Sequence, residues 1–142
     1  MCLWTGRYAP KSGTPGMITL PTLVSGKTAL ILGCGHIGKV LAKLIAGFTM
    51  TLMATRNRIE SPVIEDSVQI YPSNNLNDLL PKADFLIVTL PLTLLTKGLI
   101  GKKELALLPD HAVVVNISRV DIIDLAARGN PMPNLVDPVK GY

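Results

Sequence analysis

The sequence predicts an α/β fold built on a doubly wound parallel sheet. Three observations support this prediction. Short β-prone runs alternate with helical patterns, two of the runs are continuously apolar, and a glycine-rich turn joins an early run to a helix. Continuously apolar strands are typical of parallel sheets that helices cover on both faces. Regular alternation of strands with helices favours the doubly wound arrangement.

The composition suits one domain with a sizeable core, because the chain has 142 residues and 48% of them are hydrophobic. Two cysteines, Cys2 and Cys34, provide no disulfide framework, which favours a cytoplasmic location. The net charge is +4, but the basic residues are scattered without interleaved aromatic residues, so no nucleic-acid partner is expected. No segment has the pattern of a signal peptide, and the apolar run FLIVTLPLTLL is too short to span a bilayer, so no membrane partner is expected.

The chain divides into an arm and a domain. Residues 1–26 are rich in Gly, Pro, Ser and Thr and predict an extended arm or linker, whereas residues 27–142 predict the folded domain. Strands are predicted at Thr28–Leu32, Met50–Ala54, Val68–Tyr71, Asp84–Leu90 and Ala112–Ile117. Helices are predicted at Ile37–Ala46, Asn75–Leu80, Lys102–Leu107 and Asp121–Ala127. The first strand is expected at the centre of the sheet, with the second on one side and the fourth, then the fifth, on the other.

The run LILGCGHIGKVLAKLIA contains a G-x-G-x-x-G motif made of Gly33, Gly35 and Gly38. The motif follows a predicted strand and opens a predicted helix, which is the context of a Rossmann-type dinucleotide site. The first glycine permits the tight turn, the second admits the pyrophosphate, and the third lets the helix pack on the strand. The start of the helix offers N–H groups and a positive dipole end to the anion. The competing interpretation is a glycine loop that binds no ligand.

The end of the second predicted strand indicates which dinucleotide binds. NAD sites carry an Asp or Glu there that accepts a hydrogen bond from the ribose 2′-hydroxyl. This chain instead has Thr55, Arg56, Asn57 and Arg58, with no carboxylate. Guanidinium groups bind a phosphate bidentately, so NADP is the preferred cofactor and NAD the alternative. The competing interpretation is a basic, exposed turn without a ligand. No metal site is predicted.

Three stretches, GKTALILGCGHIGKVLAKLIAGF, ADFLIVTLPLTLLTKGLIGKKELALLP and HAVVVNISR, resemble the NAD(P)-dependent D-isomer-specific 2-hydroxyacid dehydrogenases. They cover roughly residues 25–119. The resemblance implies hydride transfer between NADP(H) and a small 2-hydroxy or 2-keto acid. It also implies that the backbone N–H groups of His36 and Ile37 bind the pyrophosphate, and that Arg56 stands where relatives carry the ribose-binding acid.

The resemblance implies further contacts just after the two apolar strands. In relatives, the residues that correspond to Leu90, Pro91 and Thr96 contact the adenosine side of the cofactor. The residues that correspond to Ile117 and Ser118 lie near its nicotinamide ribose. Arg119 corresponds to the family arginine that holds the carboxylate and carbonyl of the substrate. Arg119 also lies just past the carboxyl end of a strand, where open α/β sheets bind ligands, although a plain surface arginine is the competing interpretation. Neither His36, over the phosphates, nor His111, at the surface, is expected to be an acid–base catalyst.

The chain also departs from the family pattern. Val120 replaces the glycine that normally follows the arginine, Thr49 replaces a common glycine, and the resemblance fades beyond Asp124. We expect these 142 residues to contain no counterpart of the family's catalytic histidine, its supporting glutamate or its substrate domain. Residues 27–142 are therefore expected to form an incomplete cofactor-binding domain that is inactive by itself. Later strands of the family are missing too, so an exposed apolar edge is expected at the last predicted strand.

Three functions stay open at this point. The first is the cofactor-binding domain of a D-2-hydroxyacid dehydrogenase. The second is a non-catalytic dinucleotide-binding or interaction module. The third is a gene remnant without a function of its own. For the first function, the resemblance implies a homodimer formed through the cofactor domain.

Overall fold

A computed structural model of the chain describes residues 2–5, 24–119 and 122–123. Within these residues, the strands are β1 (Cys2–Thr5), β2 (Thr28–Leu32), β3 (Thr51–Arg56), β4 (Val63–Glu65), β5 (Val68–Pro72), β6 (Phe85–Val88) and β7 (Val113–Asn116). The helices are α1 (His36–Ile45), α2 (Leu76–Leu79) and α3 (Lys102–Leu107), with short 3₁₀ turns at Ala46–Phe48, Ser73–Asn75 and Leu80–Lys82. None of the described helices is long and apolar enough to cross a membrane.

The described strands form one sheet of seven, in the order β1-β7-β6-β2-β3-β5-β4. The five inner strands are parallel, and β2 pairs with β3 on one side and with β6 on the other. The chain therefore reverses its direction across the sheet at β2, which opens a crevice at the carboxyl ends of the strands. The predicted α/β class, the central position of β2 and the strand order are confirmed.

The core lies on both faces of the sheet. Ala29 and Ile31 of β2 point to one face, where Ala42 of α1 packs against them. Leu30 and Leu32 point to the other face, where they join a cluster that includes α2 residues. These four β2 side chains are at most 1% exposed. Burial on both faces explains why four consecutive positions of the strand, 29–32, are apolar rather than alternate ones.

The strand β4 does not appear among the predictions. It forms a tight hairpin with β5, and the turn consists of Asp66 and Ser67, whose φ angles are +48° and +67°. A two-residue turn with both residues left-handed matches the twist of the flanking strands. Val63 and Ile64 are exposed, so β4 has no buried face that would give an alternating pattern in the sequence. Pairing with β5 across the two-residue turn therefore defines this strand.

The expectation of an exposed edge at β7 is wrong. The segment Cys2–Thr5, predicted as part of an arm, pairs antiparallel with β7 over four residues. An unpaired edge presents free N–H and C=O groups, and an extended segment of almost any sequence can form hydrogen bonds with them. Because the pairing uses the backbone, the composition of the arm did not predict it. Residues 6–23 of the predicted arm lie outside the described residues.

The helix predicted at Asp121–Ala127 falls almost entirely outside the described residues. Of its positions only Ile122 and Ile123 are described, and Ile123 forms a parallel bridge with Ile100. The N–H of Ile100 donates to the carbonyl of Ile122 at 3.1 Å. Both isoleucines are buried against the sheet. These two positions therefore form a short 3₁₀ turn, in which Ile122 donates its N–H to the carbonyl of Arg119 at 3.2 Å, followed by the bridge at Ile123.

A carboxylate joins the amino ends of three parallel strands. Asp84 Oδ2 accepts the N–H of Thr28 at 2.8 Å, while Oδ1 lies 3.3 Å from Lys27 Nζ and 2.6 Å from His111 Nε2. Burial favours the neutral acid, but the hydrogen bonds from Thr28, His111 and Lys27 outweigh it and lower the pKa of Asp84. The ring of His111 is largely exposed, at the edge of the sheet opposite the crevice.

We expect Asp84→Asn to lower the free energy of unfolding at pH 7 by about 1–2 kcal/mol, because the neutral amide loses charge-assisted contacts. A lowered folded-state pKa makes the carboxylate stabilising above its unfolded pKa, and this contribution is lost as the pH falls through the folded value. The difference should therefore shrink below about pH 4. Urea unfolding of the parent and of Asp84→Asn, repeated from pH 7 into the acid range, measures this difference in the free energy of unfolding. The control Asp110→Asn, an exposed neighbour, should change stability by less than about 0.5 kcal/mol. A difference that stays constant into strong acid would contradict the assignment.

Candidate functional site

The glycine loop begins where β2 ends, at the crevice. Gly33 has a φ of +95°, in the region that favours glycine. A Cβ at this position would lie 2.7 Å from Cδ2 of Leu90. The loop is held from the β3 side, where the carbonyl of Thr55 accepts the N–H of Cys34 at 2.8 Å and its hydroxyl accepts the N–H of Gly33 at 3.3 Å. Both the backbone conformation and the packing therefore require glycine here.

The other two glycines have different surroundings. A Cβ at Gly38 would collide with the carbonyl oxygen of Gly33 and would lie 3.3 Å from the side chain of Ile31. This glycine therefore lets α1 pack closely on β2. A Cβ at Gly35 would meet nothing within 4 Å. The space above Gly35 is open, and it is the part of the loop that a ligand can approach.

The first turn of α1 faces the same open space. His36 and Ile37 begin the helix and are exposed. Gly35 caps the helix without a side-chain hydrogen bond, and the first turn contains no acidic residue. The N–H groups of this turn and the positive end of the helix dipole are thus available to an anion. This arrangement suits a phosphate group.

Arg56, the last residue of β3, is engaged in an ion pair that the sequence did not indicate. Its Nη1 and Nη2 donate to the two carboxylate oxygens of Glu65 at 2.6 and 2.7 Å, and Nη2 lies 3.7 Å from Sγ of Cys34. The hydrogen bond from Arg56 is the main reason that the pKa of Glu65 falls to about 2, with a further contribution from Lys39. Glu65 is nine positions beyond Arg56, and only the β4–β5 hairpin brings them together.

Of the three other residues predicted at the end of β3, one is buried and two are exposed. Thr55 is buried, and its hydroxyl and carbonyl both hold the glycine loop. Asn57 and Arg58 are exposed, and Arg58 has a left-handed φ of +61°. The structure therefore presents the basic side chain of Arg58 at the surface, two residues after the end of β3.

The segment after β6 forms a second wall of the crevice. Thr89, which was not predicted, donates its hydroxyl toward the carbonyls of Leu32 and Gly33 at 2.9 and 2.7 Å. The hydroxyl of Thr96 donates to the carbonyl of Pro91 at 2.7 Å and accepts the N–H of Thr93 at 2.8 Å. Thr96 is buried, so its hydroxyl stabilises the loop from inside.

The segment after β7 is tied to the same wall by Asn116. Its side-chain oxygen accepts the N–H of Ser118 at 2.9 Å, and its amide donates to the carbonyl of Arg119 at 3.1 Å. The hydroxyl of Ser118 donates to the carbonyl of Leu90. Ile117 and Arg119 are exposed beside it. Asn116 was not predicted, although a polar residue at the end of the apolar run AVVVNI is the signal that could have identified it.

The described residues therefore place the uncapped start of α1, the loops after β6 and β7, and Arg119 at the carboxyl edge of the sheet. The three glycines, His36, Ile37, Leu90 and Ser118 are brought to this edge of the sheet. In the part of the chain that the structure describes, no three His, Cys, Asp or Glu side chains are grouped in a way that could hold a metal ion.

Comparison with known proteins agrees with this architecture. The family model for the D-isomer specific 2-hydroxyacid dehydrogenase, NAD binding domain, matches residues 11–127. A glyoxylate reductase from Pyrococcus horikoshii is 37% identical over 105 residues, which are 73% of this chain and 30% of the relative. The chain spans about a third of the length of the glyoxylate reductases that it matches.

Two solved structures show the same fold. A glycerate dehydrogenase related protein from Thermoplasma acidophilum superposes with a TM-score of 0.66 at 31% identity, covering 75% of this chain and 36% of that one. An NAD-dependent formate dehydrogenase from Staphylococcus aureus, in complex with NAD, gives a TM-score of 0.66 at 27% identity, covering 74% and 31%. Since the family model covers most of the chain, the protein belongs to the D-isomer specific 2-hydroxyacid dehydrogenase family and matches its NAD-binding domain.

Proposed function

We propose that this chain is the cofactor-binding domain of a D-2-hydroxyacid dehydrogenase-like oxidoreductase that prefers NADP(H) to NAD(H). The open space above Gly35, at the uncapped start of α1, is the observation that carries the proposal. An anion there receives N–H groups and the helix dipole without displacing any side chain. A member of this family needs such a place for the pyrophosphate.

The chain offers groups for each part of the cofactor. The N–H groups of His36 and Ile37 would bind the pyrophosphate, and Arg56, with Arg58 and Asn57 beside it, would bind the 2′-phosphate. The adenosine side would contact Leu90, Pro91 and Thr96, and the nicotinamide ribose would contact Ile117 and Ser118. The bound nicotinamide supplies or accepts the hydride.

Arg119 would position the substrate, a small 2-hydroxy or 2-keto acid. It is exposed just beyond β7, at the carboxyl edge where the nicotinamide would lie. A guanidinium stays protonated at any working pH, so it can bind a carboxylate and polarise a carbonyl but cannot remove a proton. The reaction therefore also needs a separate acid–base group.

We propose that these 142 residues by themselves do not supply that acid–base group. The chain contains two histidines. His36 begins α1 in the glycine loop, and His111 pairs with Asp84 at the opposite edge of the sheet. A non-catalytic dinucleotide-binding module is the second candidate function, and the positions of both histidines favour it.

The proposal includes the setting of the domain. Residues 1–26 would form an arm, of which β1 joins the sheet, and residues 27–142 the cofactor domain, in a cytoplasmic protein. We also propose a homodimer through this domain. Ile37, Val40 and Leu44 form an exposed apolar stripe along α1, which a second copy would cover.

We expect the purified chain to bind NADPH about tenfold more tightly than NADH, because Arg56 can form charge-assisted hydrogen bonds with the 2′-phosphate. Arg56→Asp should reverse the preference by repelling phosphate and accepting the 2′-hydroxyl. Parallel fluorescence titrations with the two nucleotides measure both affinities. Lys82→Asp, the same charge reversal at the opposite edge of the sheet, should leave the ratio unchanged. Equal affinities in the parent, or no change in Arg56→Asp, would refute the preference.

Gly35→Val should abolish binding of both nucleotides, since the new side chain fills the open space that the pyrophosphate needs. The variant should still fold, because a Cβ at Gly35 meets no neighbour within 4 Å. Gly47→Val is the matched control. A Cβ at Gly47 also meets nothing within 4 Å, and this glycine lies at the far end of α1. Retained binding in Gly35→Val would place the cofactor elsewhere.

The isolated chain should show no oxidation of D-2-hydroxy acids and no reduction of glyoxylate or hydroxypyruvate. Loss of a general base alone typically lowers a rate by about 10²–10⁴, and a separate substrate domain would provide the closure that excludes water. The assay follows NADPH absorbance with each keto acid. A turnover that disappears in His36→Ala would show that this histidine is catalytic and that the proposal is wrong on this point.

A further inference from the structure

The carboxylate of Glu65 lies at the point where the proposed site distinguishes the two nucleotides. It receives both Nη groups of Arg56 at 2.6 and 2.7 Å, and the same guanidinium contacts Sγ of Cys34 at 3.7 Å. Cys34 belongs to the glycine loop and is buried. The Arg56–Glu65 pair therefore contacts the loop that would hold the pyrophosphate. In a bound dinucleotide, the adenosine ribose would lie next to this loop, at the end of the second strand.

The position of Glu65 is fixed by its surroundings. Glu65 is the last residue of β4 and pairs with Val68 across the two-residue turn, which places its side chain beside Arg56. Its Oε2 also lies 3.3 Å from Nζ of Lys39 on α1. The carboxylate thus connects the end of β3 with the first helix. Separating it from Arg56 would break a bidentate pair, which is stronger and more specific than a single contact.

A 2′-phosphate at Arg56 would come close to this carboxylate. The phosphate carries about −1.5 to −2 charges at neutral pH, and Glu65 keeps its full negative charge there because its pKa is about 2. The side chains of Arg56 and Glu65 are 24% and 41% exposed, so solvent screens their charges only in part. A neutral 2′-hydroxyl meets no such repulsion. The pair therefore discriminates between the two nucleotides.

We propose that Glu65 is a specificity-determining residue of this domain, which weakens the binding of a 2′-phosphate by holding the Arg56 guanidinium and by repelling the phosphate. This inference rests on the proposed function. It assigns cofactor choice to a residue of the β4–β5 hairpin that lies outside the strand end where such acids are normally found. Arg56 favours the binding of NADP(H), and Glu65 reduces the size of this preference over NAD(H).

Glu65→Gln in the full 142-residue chain tests this role, because glutamine preserves the size of the side chain and removes its charge. We expect NADPH to bind about three- to tenfold more tightly than in the parent, while the affinity for NADH changes by less than about twofold. Adenosine 2′,5′-bisphosphate, a probe of the ribose end alone, should gain affinity by a similar factor, and 5′-AMP should not. Asp110→Asn is the matched control, since it removes one negative charge at the opposite edge.

The outcomes separate this inference from the proposed function. If the parent binds neither nucleotide, the proposed function is overturned and the role of Glu65 with it. If the parent binds both and Glu65→Gln leaves their ratio unchanged, only the role of Glu65 is overturned. Weaker NADPH binding in the variant would also overturn it, because Glu65 would then be orienting Arg56 for the phosphate. Circular dichroism verifies the fold, and Glu65→Thr, a neutral residue suited to a strand, replaces a glutamine variant that does not fold.

Discussion

The tight turn from the end of β2 to the start of α1 is the constraint on which the rest of the site depends. This turn lies between two neighbouring strands. Thr55 holds the N–H groups of Gly33 and Cys34 from the β3 side, and the Thr89 hydroxyl binds the loop carbonyls from the β6 side. Gly33 leaves no room for a Cβ beside Leu90. The chain must therefore start α1 directly above β2, and the free N–H groups of the helix must face the crevice. The uncapped helix start at the carboxyl edge is thus a consequence of packing a helix onto the central strand.

Polar residues at the ends of apolar strands keep this crevice in shape. Asn116 and Ser118 connect the segment after β7 to the carbonyl of Leu90 after β6, and Thr96 closes the loop that follows. Each of them forms hydrogen bonds with backbone groups of the segments that follow the strands. At the other edge, Asp84 satisfies the N–H of Thr28 at the start of β2. The carboxyl edge of the sheet therefore shapes the candidate site, and the amino edge stabilises the starts of the strands.

The charges around the end of β3 come from three separate segments of the chain. Arg56 comes from the end of β3, Lys39 from α1 and Glu65 from the β4–β5 hairpin. The same hairpin places Asp66 3.6 Å from Lys43, so two acids face a row of bases along α1 and β3. The charge that a 2′-phosphate would encounter is consequently the sum of an attraction and a repulsion. The number of basic residues in the turn after β3 indicates the attraction but not the repulsion.

By itself the sequence determined the elements whose signals are local. Continuous apolar runs predicted β6 and β7, a short β-prone run predicted β2, and helical spacing predicted α1. The glycine motif located the turn between strand and helix. These signals are local, because hydrophobic period and turn chemistry depend on neighbouring residues. Only the tertiary structure decided which distant segments meet. It paired Cys2–Thr5 with the edge at β7 and gave Arg56 its partner Glu65. These pairings depend on backbone groups and charges that become neighbours only once the sheet has formed, so no pattern of adjacent residues could record them.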